Sequence, residues 1–572
     1  MARIGIFIDG SQGRMRPSFR EKIAARLKEY PDVAFSVEEE MLTSDEALER
    51  MTKRLETGEI DRVVIIGESP KRYESSFLKW GRLIPLNPYL VAVANIREQA
   101  LCSLKDEDEA LEKAETIISR TIRTVSASKP IKTQSIPLKP DVLVLGGGIV
   151  GISIAQALAQ AGIQVTLLER GDRLGGRALD LRTLYHRPEE KVQKWIEEKT
   201  TEVQRNPNIT LITRVELRQV DGHIGQFKVK VRPDDGTERI LSPSVIAVAT
   251  GYATRREQEG LYHHKRVLSL SEMEEHLSDT LEPLLRWEGK TVEMVTYLLD
   301  RVNEDTKIDS ITAIKQSLLL QERFQSQVAI LCRDVKVSAD GMERLYRKVR
   351  EQGALFFKYD EPPKIFLEED LVRIDVMDAA AIQKEEQWPV SIHPDLLVVG
   401  EAFSPDPEAD HLSQLLKIHL GNRGFLMEDN PQLLRVRSNR RGIFVAGGCR
   451  FPQEISESLI EARAVVQEVL DLLSKGSYVF DLAVAEVDPK KCAVCCTCPR
   501  LCPHSAITVE KYAERNIYAP PGTGGKTPWG AARVNPAACY GCGICVAECP
   551  AKAITLHHLN DDQIYTQMGL SQ

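Results

Sequence analysis

Nine of the twelve cysteines in this chain fall between residues 492 and 549, and eight of the nine keep a repeated spacing. "CAVCCTCPRLCP" places Cys492, Cys495, Cys498 and Cys502 as C-x2-C-x2-C-x3-C-P, and "CYGCGICVAECP" repeats that order with Cys539, Cys542, Cys545 and Cys549. Three thiolates on a short loop wrap one face of an iron-sulfur cubane, and the fourth cysteine of such a run ligates the neighbouring cluster. The spacing therefore points to two 4Fe-4S clusters. One takes Cys492, Cys495, Cys498 and Cys549; the other takes Cys539, Cys542, Cys545 and Cys502. Pro503 and Pro550 turn the chain away after each remote ligand. Cys496 alone breaks the spacing and is the surplus thiol. Paired zinc ribbons also use C-x-x-C, but zinc needs four ligands per site and has no use for the third regularly spaced cysteine.

The second chemical signal is "DVLVLGGGIVGISIAQALAQAGIQVTLLER". An apolar strand leads into Gly146-x-Gly148-x-x-Gly151, an amphipathic helix follows, and Glu169 closes a second strand about 20 residues on, which is the full context of a dinucleotide-binding turn. Gly146 makes the turn, Gly148 lets the backbone approach a pyrophosphate, and the amides at the helix start receive its charge. Glu169 is placed for ribose hydroxyls. After it, "RGDRLGGRA" supplies Gly175 and Gly176 where FAD proteins similar to glutathione and thioredoxin reductase carry a second glycine pair. "VIAVATGY" and "RGIFVAGGC" resemble the later strands of the same proteins, although Gly447-Gly448 stands where they usually carry Gly-Asp. The cofactor expected is FAD. Its candidate contacts are Gly146, Gly147, Gly148, Ile149, Val150, Gly151, Glu169, Arg170, Gly175, Gly176, Arg177, Val215, Thr250, Gly251, Gly447 and Gly448. No catalytic acid or nucleophile is expected beyond the cofactors.

These motifs need several domains to carry them. At 572 residues the chain exceeds one hydrophobic core. Residues 1–125 alternate strand and helix as a small α/β domain, and 126–140 ("SASKPIKTQSIPLKP") read as a linker. Residues 141–475 form an FAD-binding Rossmann domain of the thioredoxin-reductase type, and 476–572 an α+β two-cluster ferredoxin domain ending in a short helix capped by Asn560. The middle of the flavin domain, about 275–390, has no glycine between Gly289 and Gly341, so a strand-helix-strand fold is expected there without a nicotinamide loop. The overall class is α/β.

Composition is that of a globular protein, 42% apolar and 28% charged, and a net charge of -8 gives no reason to expect nucleic acid. "MARIGIFIDG" reads as a buried strand rather than a secretory signal, and no run of eighteen apolar residues occurs, so a cytoplasmic chain with no membrane span is expected. Cys332 and Cys449 read as packed thiols. "YHHK" at 262–265, "HH" at 557–558 and the acidic run at 37–40 read as surface.

A small α/β domain, a flavin domain without a nicotinamide loop and a terminal two-cluster ferredoxin, in that order, resemble the A subunit of heterodisulfide reductase over nearly the whole chain. "NPYLVAVANIRE", "HIGQFKVKVR" and the final "LNDDQIYTQM" carry the likeness. The family usually has cysteines where this chain has Asp9, Ser11, Glu68 and Ala100, and Cys102 alone cannot rebuild an N-terminal cluster. "DLRTLYHRPEEKVQKWIEEK" replaces a cysteine-bearing segment after the second glycine pair. The resemblance implies an oxidoreductase subunit passing electrons between FAD and two 4Fe-4S clusters. It also implies a hetero-oligomer with other redox subunits, comparable to the B and C subunits of heterodisulfide reductase. The missing cysteines weigh against electron bifurcation. Two other readings stand beside it: a stand-alone FAD and iron-sulfur oxidoreductase acting on a small substrate, and a degenerate scaffold.

Overall fold

The computed structural model describes residues 2–10, 16–70, 73, 86–185, 187–256, 259–279, 285–287, 289–299, 307–379, 389–511, 530–557 and 559–568. Ser11, His558, the middle of the long link between the cysteine runs and the last four residues lie outside them. The chain divides into two compact units, Met1–Ser135 with Val479–Gln572, and Ile136–Tyr478. The first and last sequence segments thus fold as one unit. Within the expected linker, Thr133–Pro137 is a strand.

The N-terminal part of the first unit is a parallel sheet in the order Val33–Glu39, Ile4–Asp9, Arg62–Gly67, Val91–Asn95. "IGIFID" and "RVVIIG" are buried along nearly their whole length, as strands covered on both faces must be. The acidic run at 37–40 is not simply a solvated face, because it ends the edge strand. There Glu39 is buried and accepts two hydrogen bonds from Arg50, at 3.0 and 2.5 Å, a forked pair that offsets its desolvation.

Strand order reverses beside Ile4–Asp9, and the carboxyl ends of strands at such a point form the usual ligand crevice. Here the described residues place a buried polar network at that point. The Tyr73 hydroxyl donates to Asp9 Oδ2 at 2.7 Å and accepts from the Glu68 amide at 3.0 Å, while Arg97 donates to Glu68 Oε1 at 2.7 Å. Asp9 and Glu68 are 2% and 4% exposed. Two of the positions where cluster cysteines were expected in relatives therefore carry a buried polar network.

The cysteine-rich part of the same unit is built on two short antiparallel pairs, Ala485–Val487 with Ile554–Leu556, and Ile507–Lys511 with Gly530–Val534. The tail helix Asp561–Met568 begins with a reciprocal cap: Asn560 Oδ1 accepts from the Gln563 amide, and the Asn560 amide donates to Gln563 Oε1. It packs against helix Glu107–Ala127 of the N-terminal part.

The second unit holds a five-stranded parallel sheet in the order Ile209–Ile212, Gln164–Leu168, Asp141–Leu145, Val245–Val248, Ile443–Val445. Helices Ile149–Gln160 and Ile455–Ser474 pack together over it. Its switch point lies between Asp141–Leu145 and Val245–Val248, where both site turns emerge. A second parallel sheet runs Val267–Ser269, Leu396–Val399, Met294–Leu298, Gln327–Cys332, Leu355–Lys358, with helix Lys307–Phe324 connecting its third and fourth strands. The strand-helix-strand pattern read from the middle region is thus present. Among the described residues no helix is long and apolar enough to cross a membrane.

Candidate functional site

The glycine turn owes its shape to contacts that a side chain would destroy. A Cβ on Gly151 would sit 1.8 Å from the Gly146 carbonyl oxygen, so the helix can start this close to the strand only with hydrogen there. Gly146 has φ +105°, and a Cβ on it would meet the Ala249 carbonyl oxygen at 2.4 Å. A Cβ on Gly148 meets nothing within 4 Å, so this stretch of backbone opens into free space. Gly148 also bridges to Gly175, whose amide donates to the Gly147 carbonyl at 2.8 Å. The two glycine pairs therefore form one cradle at the start of helix Ile149–Gln160, whose first amides lack intrahelical partners and favour an anion.

That cradle lines a cleft of about 340 Å³, which meets a second cavity of about 670 Å³ at Gly146, Glu169, Arg170, Thr250 and Asp406. Both volumes suit a cofactor site. Of the expected contacts, Gly146, Gly148, Ile149, Val150, Glu169, Arg170, Gly175, Gly176, Arg177, Thr250, Gly251 and Gly448 line the cleft. Val215 lines the second cavity. Gly147, Gly151 and Gly447 line neither and act by close approach: a Cβ on Gly447 would meet Val150 Cγ2 at 2.7 Å. Glu169 is held in place by the amides of Gly147 and Gly171, each at 2.6 Å. Arg170 is engaged with Asp406 at 3.1 and 3.0 Å. Beside Gly448, where an aspartate was expected in relatives, the Tyr252 ring fills the space: a Cβ there would meet its Cδ1 at 2.3 Å. The flavin fits this donor set, a glycine cradle at a helix start with an acidic residue at the second strand.

The opposite wall was not read from sequence. Leu270, Ser271 and Glu274 of helix Leu270–Asp279, Asp309 and Lys315 of helix Lys307–Phe324, and Glu401 face the same cleft. Lys315 Nζ donates to Glu274 Oε1 at 2.5 Å and to the Thr183 carbonyl at 3.1 Å, and Gln316 donates to Glu274 Oε2 at 3.0 Å. The two charged side chains are 13% and 6% exposed. Burial opposes ionisation of Glu274, yet Lys315, Gln316 and the Arg182 amide together hold its carboxyl below the usual range. One signal was available: Lys315 is a lone cation among apolar neighbours in "SITAIKQSLLL".

Cys449, next to the flavin turn, is buried, makes sulfur contacts to the Val248 and Ala446 carbonyls, and is pushed up to about 12 by burial. It is a packed thiol, as is the buried Cys332.

The cysteine runs enclose two separate cavities. One is lined by Cys492, Cys495, Cys496, Cys498 and Cys549, the other by Cys502, Cys539, Cys542 and Cys545. Each run thus sends its fourth regular cysteine to the other cavity. The loops are near copies in backbone shape. Val494 (φ +54°) matches Gly541 (+67°), Cys496 (+59°) matches Gly543 (+79°), and Ser505 (+51°) matches Lys552 (+47°). The sulfurs already receive amides: Ala532 donates to Cys492 Sγ at 3.5 Å, Gly541 to Cys539 at 3.4 Å, and Ala506 and Ala553 to Cys502 and Cys549, each at 3.3 Å. Such bonds lower the charge density of a ligating thiolate and tune a cluster's potential.

Burial, followed by repulsion from neighbouring thiols, pushes Cys498 and Cys545 up to about 11. Thiols so placed ionise against metal charge. Among the described residues no three Cys, His, Asp or Glu side chains converge as ligands of one ion. Zinc needs four ligands about 2.0–2.3 Å from a single centre, whereas a cubane spreads its thiolates over separate irons. The two sets of regular cysteines suit the cubane. A stacked pair, His504 on Tyr540 with centroids 3.9 Å apart, flanks the second cavity.

Comparison with known proteins bears on both halves. Residues 109–269 match the family model described as pyridine nucleotide-disulphide oxidoreductase, and 532–555 match that of the 4Fe-4S binding domain. A protein of Archaeoglobus profundus described as like the A subunit of heterodisulfide reductase is 26% identical over 90% of this chain and 92% of its own. The A subunit of the ferredoxin/F420H2-dependent CoB-CoM heterodisulfide reductase of Methanosarcina acetivorans is 25% identical over 85% of this chain and 73% of its own. The chain is similar to the A subunits of heterodisulfide reductase. Among solved structures, Lactococcus lactis thioredoxin reductase is 18% identical, covers 59% of this chain and 100% of its own, and has a TM-score of 0.42. This heterodisulfide reductase-like chain is an oxidoreductase of mixed α/β fold, with an FAD-type Rossmann domain and a C-terminal iron-sulfur domain.

Two outcomes follow from these geometries. Because the folded Glu274 carboxyl titrates below its unfolded value, its pairing contributes stability above pH ~4.3 that is lost as pH falls through the folded value. Lys315→Met should lower unfolding free energy at pH 7 by about 3–5 kcal/mol, the cost of stranding a buried charge, and Lys315→Met with Glu274→Met should recover most of it; denaturant titration reads both. Cys496→Gly relieves a left-handed residue and should raise the unfolding free energy by up to about 1 kcal/mol with iron content unchanged; a loss of stability would contradict this.

Proposed function

We propose that the chain is an electron-transfer subunit of a larger redox complex, carrying one FAD and two 4Fe-4S clusters and exchanging electrons with partner redox subunits. The observation that carries this reading is the pair of cysteine-lined cavities, each holding three regular cysteines of one run and the fourth of the other. Cys492, Cys495, Cys498 and Cys549 would hold the first cluster, and Cys539, Cys542, Cys545 and Cys502 the second. FAD would supply exchange of electrons singly or in pairs and each cluster exchange of single electrons, with cluster potentials somewhere between about -700 and +450 mV.

The chain's own groups prepare for this. The amides after Gly148 would receive the pyrophosphate charge, Glu169, held by the amides of Gly147 and Gly171, would take the ribose hydroxyls, and Lys315 Nζ donates to Glu274 at the cleft wall. Residues that would hold a nicotinamide dinucleotide do not support direct reduction by NAD(P)H. No glycine occurs between Gly289 and Gly341, and the buried Asp309 carboxyl stands in the first turn of helix Lys307–Phe324. A Cβ on Gly400 would meet that carboxyl at 2.7 Å, so an acid stands at the helix start that a pyrophosphate would use and disfavours an anion there.

Protein purified without oxygen should contain one FAD and about eight irons per chain, two four-iron clusters, and NADH or NADPH should leave the flavin absorbance unbleached. Zinc in place of iron, or fewer irons, would defeat the reading; rapid bleaching would favour a stand-alone enzyme.

A further inference from the structure

The surplus thiol is accounted for by the first cavity. Five cysteines line it, whereas four line its counterpart. The near copy in backbone shape makes the comparison internal: Cys496 and Gly543 occupy corresponding places with the same left-handed backbone, yet only the first loop puts sulfur there. The first loop strains Val494 as well, and Val494 and Gly543 also line their cavities, so neither strain nor position singles out Cys496; the fifth thiol it brings to the wall does. Its Sγ makes one long local contact, 3.6 Å to the Val494 carbonyl, which costs little to break. Its neighbour Cys495 is the exposed ligand of this cavity, as Cys542 is of the other.

We infer that Cys496 is a reserve ligand for the iron held by Cys495, so that the first cluster survives loss of its exposed thiolate and the second does not. The inference rests on the two-cluster reading above. In the exchange, the bond from iron to Cys495 Sγ breaks and one from iron to Cys496 Sγ forms. The Cys496 thiol gives up its proton, Cys495 takes one, and no electron is gained or lost.

The test uses the full chain purified anaerobically, with iron analysis and electron paramagnetic resonance after mild oxidation. Wild-type protein should hold about eight irons, and a shortfall there would count against the two-cluster reading itself rather than this inference. Cys495→Ala should still hold about eight irons without a three-iron signal, whereas Cys542→Ala should fall to about seven and show one. Adding Cys496→Ala to Cys495→Ala should bring the three-iron signal to the first cluster. Moving the reserve thiol, as Cys542→Ala with Gly543→Cys, should restore the lost iron. A three-iron signal in Cys495→Ala alone, or loss of the first cluster as complete as in the double variant, would overturn the inference, as would a transplant that stays at about seven irons.

Discussion

Thiols gathered in a protein interior repel one another as they ionise, and desolvation penalises each thiolate further. Cys498 and Cys545 show the result, both displaced upward by burial and by their neighbours. The loops nevertheless hold eight regular cysteines around two small voids and aim four backbone amides at their sulfurs. That arrangement is costly for free thiols and favourable for thiolates on a polynuclear metal cluster. The rest of the ferredoxin-like segment follows from it: left-handed residues at matched places, short strand pairs that fix the loop ends, and a turn that carries each fourth cysteine across to the other cavity.

The flavin unit answers a different constraint, the approach of backbone to a phosphate. Its contacts are set by absent side chains, at Gly151 against Gly146 and at Gly447 against Val150, and the cleft opens at the switch point of the parallel sheet. The middle sheet keeps the strand-helix-strand form and sets the buried Asp309 carboxyl in the first turn of its helix, while the N-terminal sheet sets Asp9, Tyr73 and Glu68 at its switch point. Among the described residues the glycine cradle and the cysteine cavities are the places whose side chains suit redox cofactors.

Much of this was legible because the relevant signals are local. Cysteine spacing within eleven residues specifies a loop, and a glycine triplet between a strand and a helix specifies a turn, so nearly all expected flavin contacts do line the cleft or support it. The opposite wall was illegible because Glu274 and Lys315 lie 41 residues apart and meet only after the second sheet assembles. The acidic run at 37–40 misled for a related reason: Glu39 is tolerated inside by Arg50, eleven residues on, a partner that periodicity does not reveal. The surplus cysteine could be counted from sequence, but its place needed the second loop as a template.

The most direct measurement compares the reduced cluster spectra of three serine variants in the full chain, Cys498→Ser, Cys502→Ser and Cys539→Ser. Exchanged ligation requires Cys502→Ser to alter the same cluster signal as Cys539→Ser, although Cys502 is only four residues from Cys498. If Cys502→Ser instead alters the signal that Cys498→Ser alters, each run closes its own cluster and the arrangement described here is wrong.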